Sequence, residues 1–168
     1  VDLKGTGPYI TGSITSIYNI TGEGLPINSF WGYKTDGLFQ SHSEVENYPT
    51  IGANIAPGDI KFVDLNGDKK IDAEDMTYIG NTFPIYTYGS SINVSYSGFT
   101  LNVLFQGAAK FKTNFNGSLG DNGNLEGFAH KILTNNYWTP DNPNARFARP
   151  TKQDVRNSYQ NDRELIDG

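Results

Sequence analysis

The strongest hydrophobic pattern in the chain runs over residues 86–106, "YTYGSSINVSYSGFTLNVLFQ". Tyr86, Tyr88, Ile92, Val94 and Tyr96 alternate with Thr87, Ser91, Asn93 and Ser95. Beyond Ser97 and Gly98, Leu101, Val103 and Phe105 alternate with Thr100, Asn102 and Gln106, and only Leu104 breaks the period. A period of two on both arms of a short Ser-Gly turn predicts a β-hairpin with one apolar and one polar face. Each arm is near ten residues, the length a tilted strand needs to cross a bilayer. A soluble sandwich would give the same alternation with its apolar face turned to a core, so the pattern alone leaves both readings open.

The rest of the chain is patterned more weakly. Residues 10–20, "ITGSITSIYNI", are β-branched and broken by Gly, and predict one short strand or two. A brief strand is expected from Trp31 to Phe39 within a stretch rich in Gly, Pro and aromatics. "SHSEVENYP" suits a single helical turn capped by Ser41 or Ser43 and stopped before Pro49. A strand from Ile60 to Val63 then feeds an acidic loop, and "AEDMTYIG" suits a turn of helix. From Ala108 to Gly168 the chain is polar and irregular, with a helical stretch expected near Phe128–Tyr137. So long an irregular run is unusual in a compact domain and points to functional or displayed loops.

Composition narrows the class. Aromatic residues make up 13% of the 168, with 19 Gly, and helix formers are few, which is a β composition. The absence of Cys removes disulfides, thiol catalysis and zinc-thiolate sites. A formal charge of -5 argues against a nucleic-acid partner, which leaves a basic footprint. No run approaches the roughly 18 apolar residues of a membrane helix. No signal peptide is visible at the start, which fits a chain that begins inside a longer one.

The acidic loop "DLNGDKKIDAED", residues 64–75, carries the one metal-type motif. Calcium takes six to eight oxygen ligands, supplied in a twelve-residue loop from positions 1, 3, 5, 7, 9 and 12. Here those are Asp64, Asn66, Asp68, the Lys70 carbonyl, Asp72 and Asp75, so every side-chain position holds an oxygen donor. Ile71, at position 8, would anchor the loop to a core. Two residues depart from the pattern: Lys69 stands where Gly makes the sharp turn, and Asp75 where a bidentate Glu is usual. With one copy and no amphipathic flanking helices, the motif suits a structural calcium clasp rather than a sensor. The competing reading is an Asp/Asn-rich turn without metal.

Catalytic chemistry finds no support. The two histidines, His42 and His130, stand in polar stretches, and no GxSxG nucleophile elbow occurs. Glu44/Glu46 fall in an expected surface turn, and Glu74/Asp75 belong to the acidic loop. "GDNGNLEG" lacks the Lys and Ser/Thr of a phosphate loop. Trp31 and Trp138 are the candidate ligand contacts, since an indole can stack on a sugar ring, although each also suits a local packing anchor. The chain is therefore not expected to be an enzyme.

Taken in order, "SFWGYKTDGLFQS", then "APGDIKFVDLNGDKKIDAEDMTYIGNTFPIYTYGSSINVSYSGFTLNVLFQG", then "NNYWTPDNPNARFARP" resemble the C-terminal part of the SusC/RagA family of TonB-dependent outer-membrane transporters from Bacteroidetes. The likeness runs from about residue 22 to 168. It implies a mainly β fold: antiparallel strands and long loops of a transmembrane β-barrel, present as an incomplete C-terminal fragment spanning residues 1–168. It implies an outer-membrane importer of oligosaccharides or peptides that works with a SusD-like surface lipoprotein and draws energy from TonB through an N-terminal part that this sequence lacks. Residues 64–75 would lie in an extracellular loop, and the 86–106 hairpin would turn on the periplasmic side with Ile92, Val94, Leu101 and Val103 facing lipid. The alternative is a soluble secreted β module that binds glycan or protein and is clasped by calcium. A dockerin-like adhesion module shares the loop spacing but duplicates it.

Overall fold

The computed structural model describes residues 4–5, 8–11, 18–114, 136–151 and 161–167. Among these residues, ten strands, all paired antiparallel, account for most of the regular structure, with one α-helix of five residues. Strands β1 (Tyr9–Thr11), β2 (Tyr18–Thr21), β3 (Ser29–Tyr33) and β6 (Met76–Gly80) form a four-stranded sheet in the order β1-β2-β3-β6. Strands β4 (Thr35–Leu38) and β5 (Ile60–Phe62) pair separately, and α1 (His42–Glu46) lies between them in sequence. Strands β7 (Tyr86–Tyr96) and β8 (Phe99–Ala109) are 11 residues each and pair along their whole length. Strand β9 (Lys112–Asn114) pairs with β10 (Leu165–Asp167).

Several of these elements depart from the sequence reading. The expected single strand from Trp31 to Phe39 is two strands in different sheets, broken at Lys34, whose carbonyl accepts from the Val63 N–H at 3.0 Å. "AEDMTYIG" is helical only over Ala73–Asp75, a 3-10 turn, and then becomes β6 because β3 offers a free edge beside it. The hairpin runs three residues past Gln106, to Ala109. The irregular C-terminal stretch contributes β9 and β10, each of which is three residues long and gains its order from the other. The helix expected near Phe128–Tyr137 lies outside the described residues, save its last two positions, where Tyr137 forms a bridge to Phe147 instead. The single helical turn occurs where expected, with Ser41 as its cap accepting from the Glu44 N–H at 3.2 Å.

The core lies outside the hairpin. Tyr33, Leu38, Ile51, Ile60, Phe62, Ile71 and Ala148 form one buried cluster, with Met76 and Trp138 packed against it. Phe30, Ile79 and Leu165 form a second. Residues 29–80 therefore fold into a body with a segment more than sixty positions downstream in the sequence.

An ion pair fastens these two parts together. Arg149 donates from Nε and Nη2 to the two oxygens of Asp59, at 2.8 and 3.0 Å, and Asp59 is fully buried. Planar guanidinium and carboxylate groups match in this bidentate form, which adds geometric specificity to charge. The backbone runs in parallel with it: Arg149 N–H donates to the Gly58 carbonyl at 2.8 Å, and Gly58 N–H donates to the Phe39 carbonyl at 2.7 Å. Gly58 has φ +89, and a Cβ there would lie 2.4 Å from the Trp138 ring. Glycine is thus required twice at this point, for the backbone and for the indole.

Removing Arg149 would take the bidentate guanidinium from the buried Asp59 carboxylate and leave it the Ala56 N–H bond at 2.9 Å. Arg149→Ala is expected to lower unfolding stability by about 3–5 kcal/mol, read from urea midpoints, and Arg149→Lys by less because the charge is kept. Equal midpoints for wild type and Arg149→Ala would show that the pair is dispensable.

Candidate functional site

Three places carry chemistry: the acidic loop, a groove over Trp138, and the two faces of the hairpin. The loop is wound around its own side chains. Asp64 accepts from Gly67 N–H at 2.6 Å through one oxygen and from Lys69 N–H at 2.9 Å through the other. Asn66 and Asp68 each accept from the N–H two residues on, at 2.9 and 2.8 Å. Asp72 caps the 3-10 turn by accepting from Glu74 N–H. These are the short-range bonds that Asp and Asn offer in turns, and they account for the spacing without any further partner.

Asp75 closes the loop. It is fully buried, and its carboxylate accepts from Leu65 N–H at 2.8 Å and Asn66 N–H at 3.4 Å through one oxygen and from Asp72 N–H at 3.0 Å through the other. Asp is therefore long enough at this position, because the 3-10 turn brings residue 75 back under residues 65 and 66. Ile71 is 7% exposed and sits in the main cluster, the anchor its position suggested. The departure at Lys69 resolves itself in the backbone: Lys69 takes φ +67, the left-handed turn that glycine would make at lower cost.

The predicted ligands Asp64, Asn66, Asp68, Lys70, Asp72 and Asp75 thus share one loop. Among the described residues, no three His, Cys, Asp or Glu side chains gather as a group that could hold a metal ion. Asp68 uses only Oδ1 in the bonds above, so its other oxygen is left for another partner.

Trp31 and Trp138 are separated. Trp31 is a half-buried member of β3, opposite Tyr18 and Tyr78 in the sheet. Trp138 lines an open groove of about 660 Å³ with Gln40, Ser41, His42, Pro140 and Pro143. Its indole is held by three contacts: Nε1–H donates to Gln40 Oε1 at 3.1 Å, its backbone N–H donates to Phe147 O at 3.0 Å, and the ring lies on Gly58. The groove's rim is held by charge. Gln40 N–H donates to Glu44, which takes a further bond from Lys61 at 3.0 Å. The Gln40 N–H bond, then the Lys61 bond, holds the Glu44 carboxyl below its ordinary range. Burial works against the Lys61 ammonium, but its bonds to Glu44 and Asp36 outweigh that and raise its pKa. Nothing in the sequence pattern singles out this groove, because its walls come from segments far apart in the chain, which the Asp59–Arg149 pair and the Trp138–Gln40 bond hold together.

Among the described residues, the hairpin is the least covered part. Every residue of β7 is exposed, and β8 is nearly so. The register sets Ile92 opposite Val103, Val94 opposite Leu101 and Tyr96 opposite Phe99 on one face, and Asn93 opposite Asn102 and Ser95 opposite Thr100 on the other. The turn residues Ser97 and Gly98 have φ +47 and +87, the pair of positive values that matches strand twist in a two-residue hairpin. Leu104, 66% exposed, is the single large apolar side chain on the polar face. An isolated two-stranded ribbon is marginal in water, and a contiguous apolar face of this size is a surface that expects cover. No helix of the described residues is long and apolar enough to cross a membrane, which says nothing of strands.

No protein-family model matches the chain. It is 31% identical over 134 residues to TonB-dependent receptor P3 of Formosa agariphila, covering 80% of this chain and 13% of that protein. It is 26% identical over 152 residues to TonB-dependent receptor P26 of the same organism, covering 89% of this chain and 15% of that protein. The chain thus spans about one-seventh of the length of these curated relatives. The two likenesses support the TonB-dependent receptor family, whose members are outer-membrane transporters.

The strain at Lys69 generates a test of the loop's geometry. Lys69→Gly is expected to raise stability by about 0.5–1 kcal/mol, the left-handed cost of roughly 1–2 kcal/mol less the extra entropy glycine loses on folding. A lower thermal midpoint for Lys69→Gly would contradict the left-handed turn.

Proposed function

We propose that this chain is part of a TonB-dependent outer-membrane transporter of the SusC/RagA type, with β7 and β8 as adjacent strands of the barrel wall. The observation that carries the reading is the hairpin itself: two fully paired strands with one apolar face and one polar uncharged face and, among the described residues, both long edges open and no core beneath either face. A strand rises about 3.4 Å per residue, so 11 residues span about 37 Å. At the tilt of barrel strands, roughly 35–45°, this covers about 28 Å of membrane normal, enough for an apolar band of about 25 Å.

In this reading Ile92, Val94, Leu101 and Val103 face lipid, while Thr87, Ser91, Asn93, Ser95, Thr100, Asn102 and Gln106 face the lumen. Tyr86 and Tyr88 at one end, and Tyr96 and Phe99 at the other, supply the aromatic girdles of such barrels. The body formed by residues 29–80 and 136–149 adjoins the end away from the turn and would stand outside the cell. The whole transporter would import oligosaccharides or peptides with a SusD-like lipoprotein and TonB, and the groove over Trp138 would be a place where solute or partner meets the loops. Within the loop body, Asp64, Asn66, Asp68, the Lys70 carbonyl, Asp72 and Asp75 would hold a structural calcium ion. The support is the concentration of carboxylates around a loop that already closes on itself.

Two measurements test this reading. Antibodies to the chain should detect, in fractionated cells, a species several-fold larger than this segment in detergent-extracted outer membrane; a soluble band of this chain's own mass would overturn the transporter assignment. Separately, calorimetric titration with calcium should give heats that vanish in Asp64→Ala and Asp75→Ala, and heats unchanged by either substitution would remove calcium from the account.

A further inference from the structure

The end of the hairpin away from its turn carries a cation held against the apolar face. Lys110 follows directly on Ala109, the partner of Tyr86 in the last pair of the β7–β8 ladder. Its ammonium stands over the Tyr86 ring, 5.1 Å from the centroid. Tyr86 belongs to the apolar face, so the charge is held on that side of the ribbon rather than over the polar face. Beneath it, Tyr88 lies across Gly107, where a Cβ would meet the phenol ring at 2.2 Å. Two tyrosine rings thus form a shelf at the margin of the apolar band, with the ammonium on its rim.

Two further features single out Lys110. It is exposed and takes φ +59, a conformation in which Gly or Asn would be the inexpensive choice. A strained non-glycine residue of this kind is a reason to ask what its side chain does. Its neighbour Lys112 is already committed, its ammonium lying 2.8 Å from Asp167. The ion pairs of the described residues give Lys110 no carboxylate.

Resting on the membrane reading of the hairpin, we propose that Lys110 and Tyr86 form a binding site for the phosphate of a lipid headgroup. Tyrosine belts settle at headgroup depth because one end of the ring is apolar and the other wet. A lysine stem lies along apolar surface while its charge reaches outward. The Tyr86 face holds that charge at the depth where phosphates lie, and the ammonium's remaining donors are free to meet their oxygens.

The test uses the whole chain co-sedimented with vesicles of phosphatidylcholine alone or doped with phosphatidylglycerol. Wild type should bind both and bind the anionic vesicles more tightly. Lys110→Gln should lose about fivefold on the anionic vesicles, the effect of one lysine at a charged surface, with no change on the neutral ones. Lys110→Arg should retain the wild-type increment, and Lys69→Gln should behave as wild type, which separates this site from overall charge. If Lys110→Gln binds both vesicles as wild type does, the site is overturned and the membrane reading stands. If wild type sediments with neither, the membrane reading falls and the site with it. If excess inorganic phosphate at constant ionic strength abolishes the Lys110-dependent increment, the site takes a free anion and the lipid assignment is wrong.

Discussion

The bidentate contact between Arg149 and Asp59 is the constraint from which the rest of the loop body follows. Asp59 is fully buried, and the Arg149 guanidinium and the Ala56 N–H at 2.9 Å both meet its carboxylate there. Once the pair forms, Arg149 N–H reaches the Gly58 carbonyl, and the indole of Trp138 settles on Gly58. Ala148, one residue before the arginine, enters the main cluster beside Ile60 and Phe62. Thr35 and Asp162 add a second link at 2.7 Å between early and late segments. Two stretches on opposite sides of the hairpin in sequence are therefore one body in space. That in turn fixes how the chain enters β7 and leaves β8. At that level the Asn81 carbonyl accepts from Lys112 N–H at 2.7 Å, joining the β6 side to β9.

Burial is divided unevenly, and the division has a physical meaning. The loop body hides Tyr33, Leu38, Ile60 and Phe62 in the manner of a water-soluble domain. The hairpin leaves Tyr96 and Phe99 more than four-fifths exposed, with Leu101 at 60%. One sequence thus follows two solvent rules: apolar inward for residues 29–80, apolar outward for residues 86–109. A strand pair at the boundary of lipid and water obeys the second rule, because lipid replaces the core as the apolar phase and the ladder satisfies the backbone.

Within the acidic loop, hydrogen bonding does locally what the ion pair does at long range. Asp75 gathers three N–H groups from residues 65, 66 and 72 and so draws the loop shut. The buried carboxylate of Asp75 and the Ile71 side chain tie the loop to the main cluster.

Local rules were enough to find what depends on neighbours in sequence. The period of two over residues 86–106 reveals the hairpin and its faces, since alternate side chains must point to opposite sides of a ribbon. The Asp and Asn spacing over 64–75 reveals a closed loop, since those side chains bond backbone a few residues away. Ser41 marks its helix for the same reason. Local rules were silent where order comes from distant segments. The break at Lys34, the three-residue strands β9 and β10, the pairing of Asp59 with Arg149 and the groove over Trp138 are all decided by contacts between residues far apart in the chain. A short segment such as "LID" has no strong preference of its own and becomes a strand only because "KTN" offers an edge. Sequence by itself determined the repeating and the nearest-neighbour features. Tertiary structure alone decided which segments meet, because that choice follows from burial and charge pairing in three dimensions, which no local period records.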